Sequence, residues 1–300
     1  MARAIKKLFG HMHTNCRKSF PHLYIRDDDQ KRCAVPDDLV SWDAEWKEYD
    51  PDDYTMPHVL SGPEWADPPS IEGLKFNTID GNIDRRSHMG EYSLDSGEND
   101  DFVKDGHYFK NPVGRTGLKG RGTLGKWGPN HAADPIVTRW KRDDAGNKIT
   151  NPVSQKLVLQ FVAIVRRDHG VWAVPGGMVD AGENINVTLK REFSEEAMNT
   201  LELPPDQVEK VTTQVNDLFQ HGTEVYRGYV DDPRNTDNSW IETVAHNFHD
   251  DSGNSVGAFT LNAGDDAIGV KWVDISQDLQ LFASHLDFIK KVADIHGCHW

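Results

Sequence analysis

The sequence predicts an α/β sandwich, helices covering a mixed sheet, preceded by a loop-rich N-terminal lobe. Three observations carry this. Leu157–Val165, LVLQFVAIV, is a continuous apolar and β-branched run of the kind that forms a strand buried on both faces. Helical periodicity follows over Asn186–Met198 and Asp206–Phe219, with strand-like runs behind it, and such alternation lets helices cover a sheet. Ahead of all this, the stretch from Val35 to Thr150 is rich in Pro, Gly, Asp and Trp and shows little periodicity.

Taken in order, residues 1–33 read as a basic extension, 34–152 as the N-terminal lobe and 153–300 as the α/β domain. Met1 to Arg26 hold no Asp or Glu but carry Arg3, Lys6, Lys7, Arg17, Lys18 and Arg26. An organellar transit segment and a basic linker from a longer protein both fit that composition. Pro51–Pro69 and Asn111–Pro135 read as ordered loops; the six Gly and three Pro of the latter argue against a regular helix or central strand. After the Leu157–Val165 strand, Arg167-Asp168-His169-Gly170 is a turn, Val171–Val174 a short returning strand, and Pro175-Gly176-Gly177 a break. Val187, Leu189, Phe193 and Ala197 mark the apolar positions of the first helix, and Val208, Val211, Val215 and Leu218 those of the second. Strands are expected at Glu224–Tyr229, Trp240–Phe248 and Val270–Val273, and a last amphipathic helix over Ala283–Ile295, stopping near Gly297.

Composition narrows the function. The 300 residues, 37% hydrophobic with nine Trp, are enough for a sizeable core. A formal charge of −15 repels phosphate backbones, which argues against a nucleic-acid partner, while a divalent cation would still admit a small phosphorylated ligand. Three cysteines, Cys16, Cys33 and Cys298, have no paired spacing, which argues against a disulfide framework and against a structural zinc site and fits a reducing compartment. No apolar run reaches the ~20 residues of a bilayer span, so no membrane insertion is expected.

The chemistry concentrates on the first helix. Glu192, Glu195 and Glu196 stand at i, i+3 and i+4, so their carboxylates share one face. Like charges so spaced destabilise a helix slightly unless a cation sits among them, and oxygen donors of this kind select Mg²⁺ or Mn²⁺ over zinc. Taken alone, the three glutamates are better read as a solvated acidic face. The flanking residues decide. Gly177, five residues, Glu183, seven residues, then Arg191-Glu192-Phe193-Ser194-Glu195-Glu196 is the loop–helix signature of the Nudix hydrolases, which this segment resembles. Glycines at 176 and 177 allow close approach of backbone to a ligand, and Glu183 near the helix start can pair with Arg191, which can orient Glu192. The family usually has Gly where this chain has Met198, followed by Asn199; these positions govern the helix end, and a shifted terminus is expected.

Beyond that signature the chain resembles the mitochondrial-type ADP-ribose pyrophosphatase branch, whose domain also forms the ADP-ribose-sensing end of melastatin-type TRP cation channels. The resembling segments are Gly114–Pro135, Val137–Asp143, Tyr226–Thr243, Ala263–Ala267 and Phe282–His285. The resemblance implies a Nudix α/β/α sandwich with an N-terminal lobe that helps close the substrate cleft, and cleavage of ADP-ribose to AMP and ribose 5-phosphate. It implies Mg²⁺, with Mn²⁺ as the alternative ion, held by Glu192, Glu195, Glu196 and the Gly176 or Gly177 backbone. Arg234, in the Pro-stiffened turn Asp231-Asp232-Pro233-Arg234, has the chemistry of a phosphate clamp, and Asp232 that of a ribose or adenine acceptor; composition alone would make them a surface pair. The resemblance makes His285 a substrate contact. Asp265 and Asp266, on a Gly-containing loop, read equally as an ordinary acidic loop or as a general base or extra ligand, so the base stays open between them and Glu192. The alternative is a sensor domain attached covalently to a channel, but the intact Arg191-Glu192 and Glu195-Glu196 favour hydrolysis. An NADH or dinucleoside polyphosphate pyrophosphatase would share the signature, and the segment DDPRNTDN argues against it. Localisation is expected in the mitochondrial matrix, or at the cytosolic face of the plasma membrane for a channel domain.

Overall fold

The computed structural model describes residues 13–18, 32–92, 110–167, 170–198, 204–258, 261 and 267–300. The chain forms two compact units: Met1–His131 with Asp180–Gly182 and Gly228–Glu242, and Ala132–Val179 with Glu183–Arg227 and Thr243–Trp300.

In the first unit regular structure is sparse: β1 (Asp53–Thr55), α1 (Pro57–Leu60), β2 (Ile79–Asp80), β3 (Ile83–Asp84) and β4 (Lys119–Gly122). β1 pairs with β4 in parallel and β2 with β3 antiparallel. Loops of this length need their backbone groups satisfied some other way, and buried side chains do it. The Arg115 guanidinium donates to the carbonyls of Leu39, Ser41 and Ala44. Tyr92, Trp127, Tyr229 and Trp240 make a buried aromatic cluster. Residues 13–18, within the basic start, are an ordered clip: the N–H groups of Thr14, Asn15 and Cys16 donate to the Asp231 carboxylate at 2.7, 2.7 and 2.9 Å. Arg17 of the clip pairs with Asp37 at 2.6 Å. The rest of Met1 to Arg26 lies outside the described residues.

The remaining elements are β5 (Gly128–Trp140), β6 (Leu159–Arg166), β7 (Trp172–Ala173), β8 (Gly177–Met178), α2 (Ile185–Glu196), α3 (Pro205–Leu218), β9 (Thr223–Tyr229), β10 (Ser239–Asp250), β11 (Ala267–Asp274) and α4 (His285–His296). The strands form a seven-stranded sheet in the order β11-β6-β5-β10-β9, with β7 on β6 and β8 on β5. The α/β class and helix-covered sheet expected from the sequence are observed.

One expectation is overturned. Asn111–Pro135 is not a long loop: it contains β4 and leads through β5, a 13-residue strand at the centre of the sheet order. β5 pairs with β8 at Ala132 and Ala133 and with β6 at Thr138–Trp140. Pro135 falls between the stretches paired with β8 and with β6, outside both of those ladders.

Leu189 and Phe193 of α2 and Val211 and Val215 of α3 pack on Val137, Val162 and Phe248 of the sheet. Truncating a fully buried ring such as Phe193 to Ala would cost about 3–5 kcal/mol. α2 stops at Glu196 with Ala197 as its C-cap, and Met198 turns into this same core, absorbing the departure from glycine there. The 3₁₀ turn Phe219–His221 continues α3 and stacks Phe219 on Phe248 at 3.9 Å between ring centroids. α4 ends at Gly297, whose φ of 58° is the left-handed conformation that glycine adopts without strain. All three cysteines are free thiols, and no helix among the described residues is long and apolar enough to cross a membrane.

Candidate functional site

The site is built on α2 and the backbone that passes beneath it, all in the second unit. Asn184 caps the helix, its side chain accepting from the Val187 N–H at 3.1 Å. Helical periodicity then buries one stripe, Thr188, Leu189, Glu192, Phe193 and Glu196, which is apolar toward the core and acidic at its margin. Two glutamates among core-facing positions need partners, because a buried charge is costly unless paired or hydrogen-bonded.

Arg191 supplies the pairing. Its Nε and Nη2 donate to Glu183 at 3.1 and 3.0 Å, its Nη1 to Glu192 at 2.7 Å and Glu195 at 3.4 Å, and its Nη2 also to the Met178 carbonyl at 3.1 Å. One guanidinium thus ties the loop before α2, two carboxylates on α2 and the edge of β8. Thr188 adds a hydroxyl donor to Glu183 at 2.7 Å.

The glycines work through space. The Gly176 N–H donates to Glu196 at 2.9 Å. A Cβ on Gly176 would meet Asp134 Oδ1 at 2.2 Å, and one on Gly177 would meet Glu192 Oε1 at 2.3 Å. Neither has a positive φ, so close approach of backbone to carboxylate, not an unusual turn, requires glycine at both positions.

Asp134, which the sequence reading passed over inside its supposed loop, is a further carboxylate at this place. Thr243 donates its hydroxyl to Asp134 Oδ2 at 2.5 Å, and the His285 Nε2 lies 4.0 Å from Oδ1. His285 opens α4 and accepts the Val174 N–H at Nδ1, 2.9 Å, which leaves its ring proton on Nε2, the nitrogen nearest Asp134. The ring is buried beside Phe282 and Phe288, so within this unit it holds the backbone just ahead of Pro175-Gly176-Gly177. The Asp in HAADP was the available signal, but nothing local distinguishes it from any other acid near a proline.

Burial is the main force on Glu192, pushing its carboxyl up to about 7; Arg191 opposes this, while Glu195 and Asp134 add to it. A carboxyl so raised marks a place where negative charge is undercompensated and a cation would be welcome. All the side-chain donors are carboxylate oxygens, beside a glycine backbone that nothing else can approach. That is the donor chemistry of a hard divalent ion such as Mg²⁺ or Mn²⁺, and it fits Glu192, Glu195, Glu196 and the Gly176 backbone as the holders.

Asp232 and Arg234 belong to the first unit. There the Arg234 guanidinium folds back on its neighbour, Nε to Asp232 Oδ1 at 2.8 Å and Nη2 to Oδ2 at 2.9 Å, and the Arg234 N–H also donates to Oδ1 at 2.8 Å. Asp265, Asp266, Asn199 and the Asp168-His169 turn lie outside the described residues.

Comparison with known proteins completes the description. Residues 35–128 match the model of the NUDT9-like N-terminal domain, and residues 141–292 that of the NUDIX domain. The chain is 53% identical over 274 residues to the mitochondrial ADP-ribose pyrophosphatase of Rattus norvegicus, covering 90% of this chain and 75% of that protein. It is 49% identical over 271 residues to a transient receptor potential cation channel, subfamily M member-like 2, of Nematostella vectensis, covering 88% of this chain but 17% of the channel.

Proposed function

The chain belongs to the Nudix family, and from that premise we propose that it hydrolyses ADP-ribose to AMP and ribose 5-phosphate with Mg²⁺. The observation that carries this reading is the Arg191 clamp, which gathers Glu183, Glu192 and Glu195 beside the Gly176-Gly177 edge. Glu192, Glu195, Glu196 and the Gly176 carbonyl would hold the ion. When bound, it supplies neutralisation of pyrophosphate charge and a water of lowered pKa.

The chain's own groups have separable tasks. Arg191 fixes the rotamers of Glu183, Glu192 and Glu195, so little reorganisation remains when substrate arrives. Gly176 fixes Glu196 through its N–H. Glu192 is our choice for the general base, because Arg191 holds its carboxylate against the Gly177 backbone, beside the place where the ion and its water would sit. Asp265 and Asp266 are the other candidates for that role. Water attacks one phosphorus, the anhydride P–O bond breaks, and the two phosphate monoesters leave. Asp134, Thr243 and His285 hold the strand and loop on which the glycines lie. Asp232 and Arg234 are proposed to contact the ADP-ribose.

A second reading, an ADP-ribose sensor attached to a cation channel, draws on the likeness to the Nematostella channel, of which this chain spans about a sixth. The intact acidic set on α2 favours hydrolysis over a purely sensing role. The mitochondrial name of the rat relative favours a mitochondrial location. Incubation with ADP-ribose and Mg²⁺, followed by chromatography, separates the readings. Hydrolysis yields AMP and ribose 5-phosphate, and the yield vanishes with EDTA or in Glu195→Gln/Glu196→Gln. Intact ADP-ribose that nonetheless binds would overturn the enzyme reading in favour of the sensor.

A further inference from the structure

We propose a second metal site, distinct from the glutamate helix, in which His88, His131 and Glu242 bind a borderline divalent ion of the zinc or cobalt class. All three residues belong to the first unit, whereas the carboxylates of α2 belong to the second. One ligand atom from each lies within 4.8 Å of the other two. The inference is independent of the hydrolase reading.

Glu242 supplies the electrostatic reason. It is fully buried, and its oxygens accept from the Ser87 hydroxyl at 2.6 Å, the His88 N–H at 2.6 Å and the Trp240 indole N–H at 2.8 Å. Every one of these donors is neutral. Among the described residues no Lys or Arg forms an ion pair with it, so a carboxylate inside the unit lacks a matching cation. A carboxylate oxygen that already accepts one hydrogen bond keeps a lone pair for a metal.

The imidazoles supply the selectivity. The hydrogen bond of the His131 ring is to the Arg86 backbone, and its Nε2 is buried with no hydrogen-bond partner. A ring that donates one N–H to a backbone carbonyl and turns its other nitrogen inward is in the tautomer a metal-bound histidine uses. His88 stacks on His131 with centroids 4.6 Å apart and planes 13° from parallel. Two nitrogens and one carboxylate oxygen make the His₂Glu set suited to zinc-like ions, whereas Mg²⁺ prefers oxygen alone. Donors bonded at about 2.0–2.1 Å sit roughly 3.4 Å apart in a tetrahedron, so the set must contract by about 1 Å. An ion lies in the plane of each ring that binds it, so binding opens the ring stack by rotation of one ring. Ser87, which orients Glu242, directly precedes His88, so contraction at one ligand is coupled to another. The ion would tie the loop that carries His88 to the adjacent strands β5 and β10, which carry His131 and Glu242.

The test uses the full chain, stripped with EDTA, returned to excess Mg²⁺ to satisfy the oxygen site, and titrated with Co²⁺. The expected result is a visible d–d absorption band saturating at one equivalent and displaced by Zn²⁺, with Zn²⁺ raising the melting temperature by roughly 5 °C. His88→Gln, at a partly exposed ring, should weaken Co²⁺ binding at least about tenfold, as should Glu242→Gln. Glu195→Gln/Glu196→Gln should leave the band intact. Circular dichroism establishes that the variants are folded, and His88→Gln alone suffices if Glu242→Gln is not. Absence of a band in the wild-type chain overturns the proposal. So does a band that survives His88→Gln, or one that vanishes in Glu195→Gln/Glu196→Gln.

Discussion

Two arginine-centred clusters, one in each unit, use the same chemistry to opposite ends. In the first, Arg85 meets Asp67 fork to fork, with both contacts at 2.8 Å, and takes Asp80 on its Nε at 3.0 Å. Asp67 gains the Trp127 N–H at 2.9 Å, and both Asp67 and Arg85 side chains are 2% exposed. In the second, Arg191, 28% exposed, is divided among Glu183, Glu192 and Glu195, with Glu196 and Asp134 close by. The first engages its buried Asp67 fork to fork and holds loops together. The second leaves carboxylates in excess, and burial, with smaller contributions from Glu195 and Asp134, raises the Glu192 carboxyl. A buried pair is costly to break from one side, whereas carboxylates in excess of their cation prepare a place for a ligand.

The sharpest way to break this contrast is to remove each cation's counterpart in turn. Arg85→Ala strands Asp67 as a buried, uncompensated charge and should cost about 3–5 kcal/mol in urea unfolding. A loss under about 1 kcal/mol would mean that the pair is incidental. Glu192→Gln should do the reverse: a folded chain at least as stable as the parent, with ADP-ribose turnover down about 10²–10³-fold. Retained turnover would remove Glu192 from the reaction.

A subtler distinction lies in pH. The Glu192 carboxyl rises from about 4.5 when unfolded to about 7 when folded, so the folded state holds the proton more tightly. Its contribution is therefore complete below about pH 4.5 and lost as pH climbs through 7, a change on the order of 3 kcal/mol in metal-free protein. Urea midpoints of metal-free chain measured from pH 5 to 8 should show that decline, and Glu192→Gln should flatten it. The smallest effect is expected at Thr243→Val, which takes one donor from Asp134 and should cost about 1 kcal/mol.

What the sequence disclosed depended on how local each feature was. The residues from Gly177 to Glu196 lie within one loop and one helix, so their spacing alone revealed the clamp. Helix limits came within a residue or two, Asn186–Met198 against Ile185–Glu196, because periodicity is read over a whole helix whereas caps are read from single residues. β5 was invisible because its identity as a strand comes from partners distant in sequence, among them β6 and β8. Asp134 was hidden for the same reason, since Gly176 and Thr243 are what give it meaning. His88, His131 and Glu242 come from three distant segments, and no spacing rule links them.

The clip on Asp231 carries a consequence for biosynthesis. Thr14 is 217 positions from the carboxylate that receives its N–H, and the first unit is complete only once Gly228–Glu242 has joined it. A ribosome making this chain must release most of the second unit's sequence before the first can close. The early residues therefore wait, exposed and unpaired, for about ten to fifty seconds at ordinary rates of elongation. Chaperone dependence should accordingly fall on the N-terminal part of the nascent chain, and truncation before residue 231 should leave it without its clip.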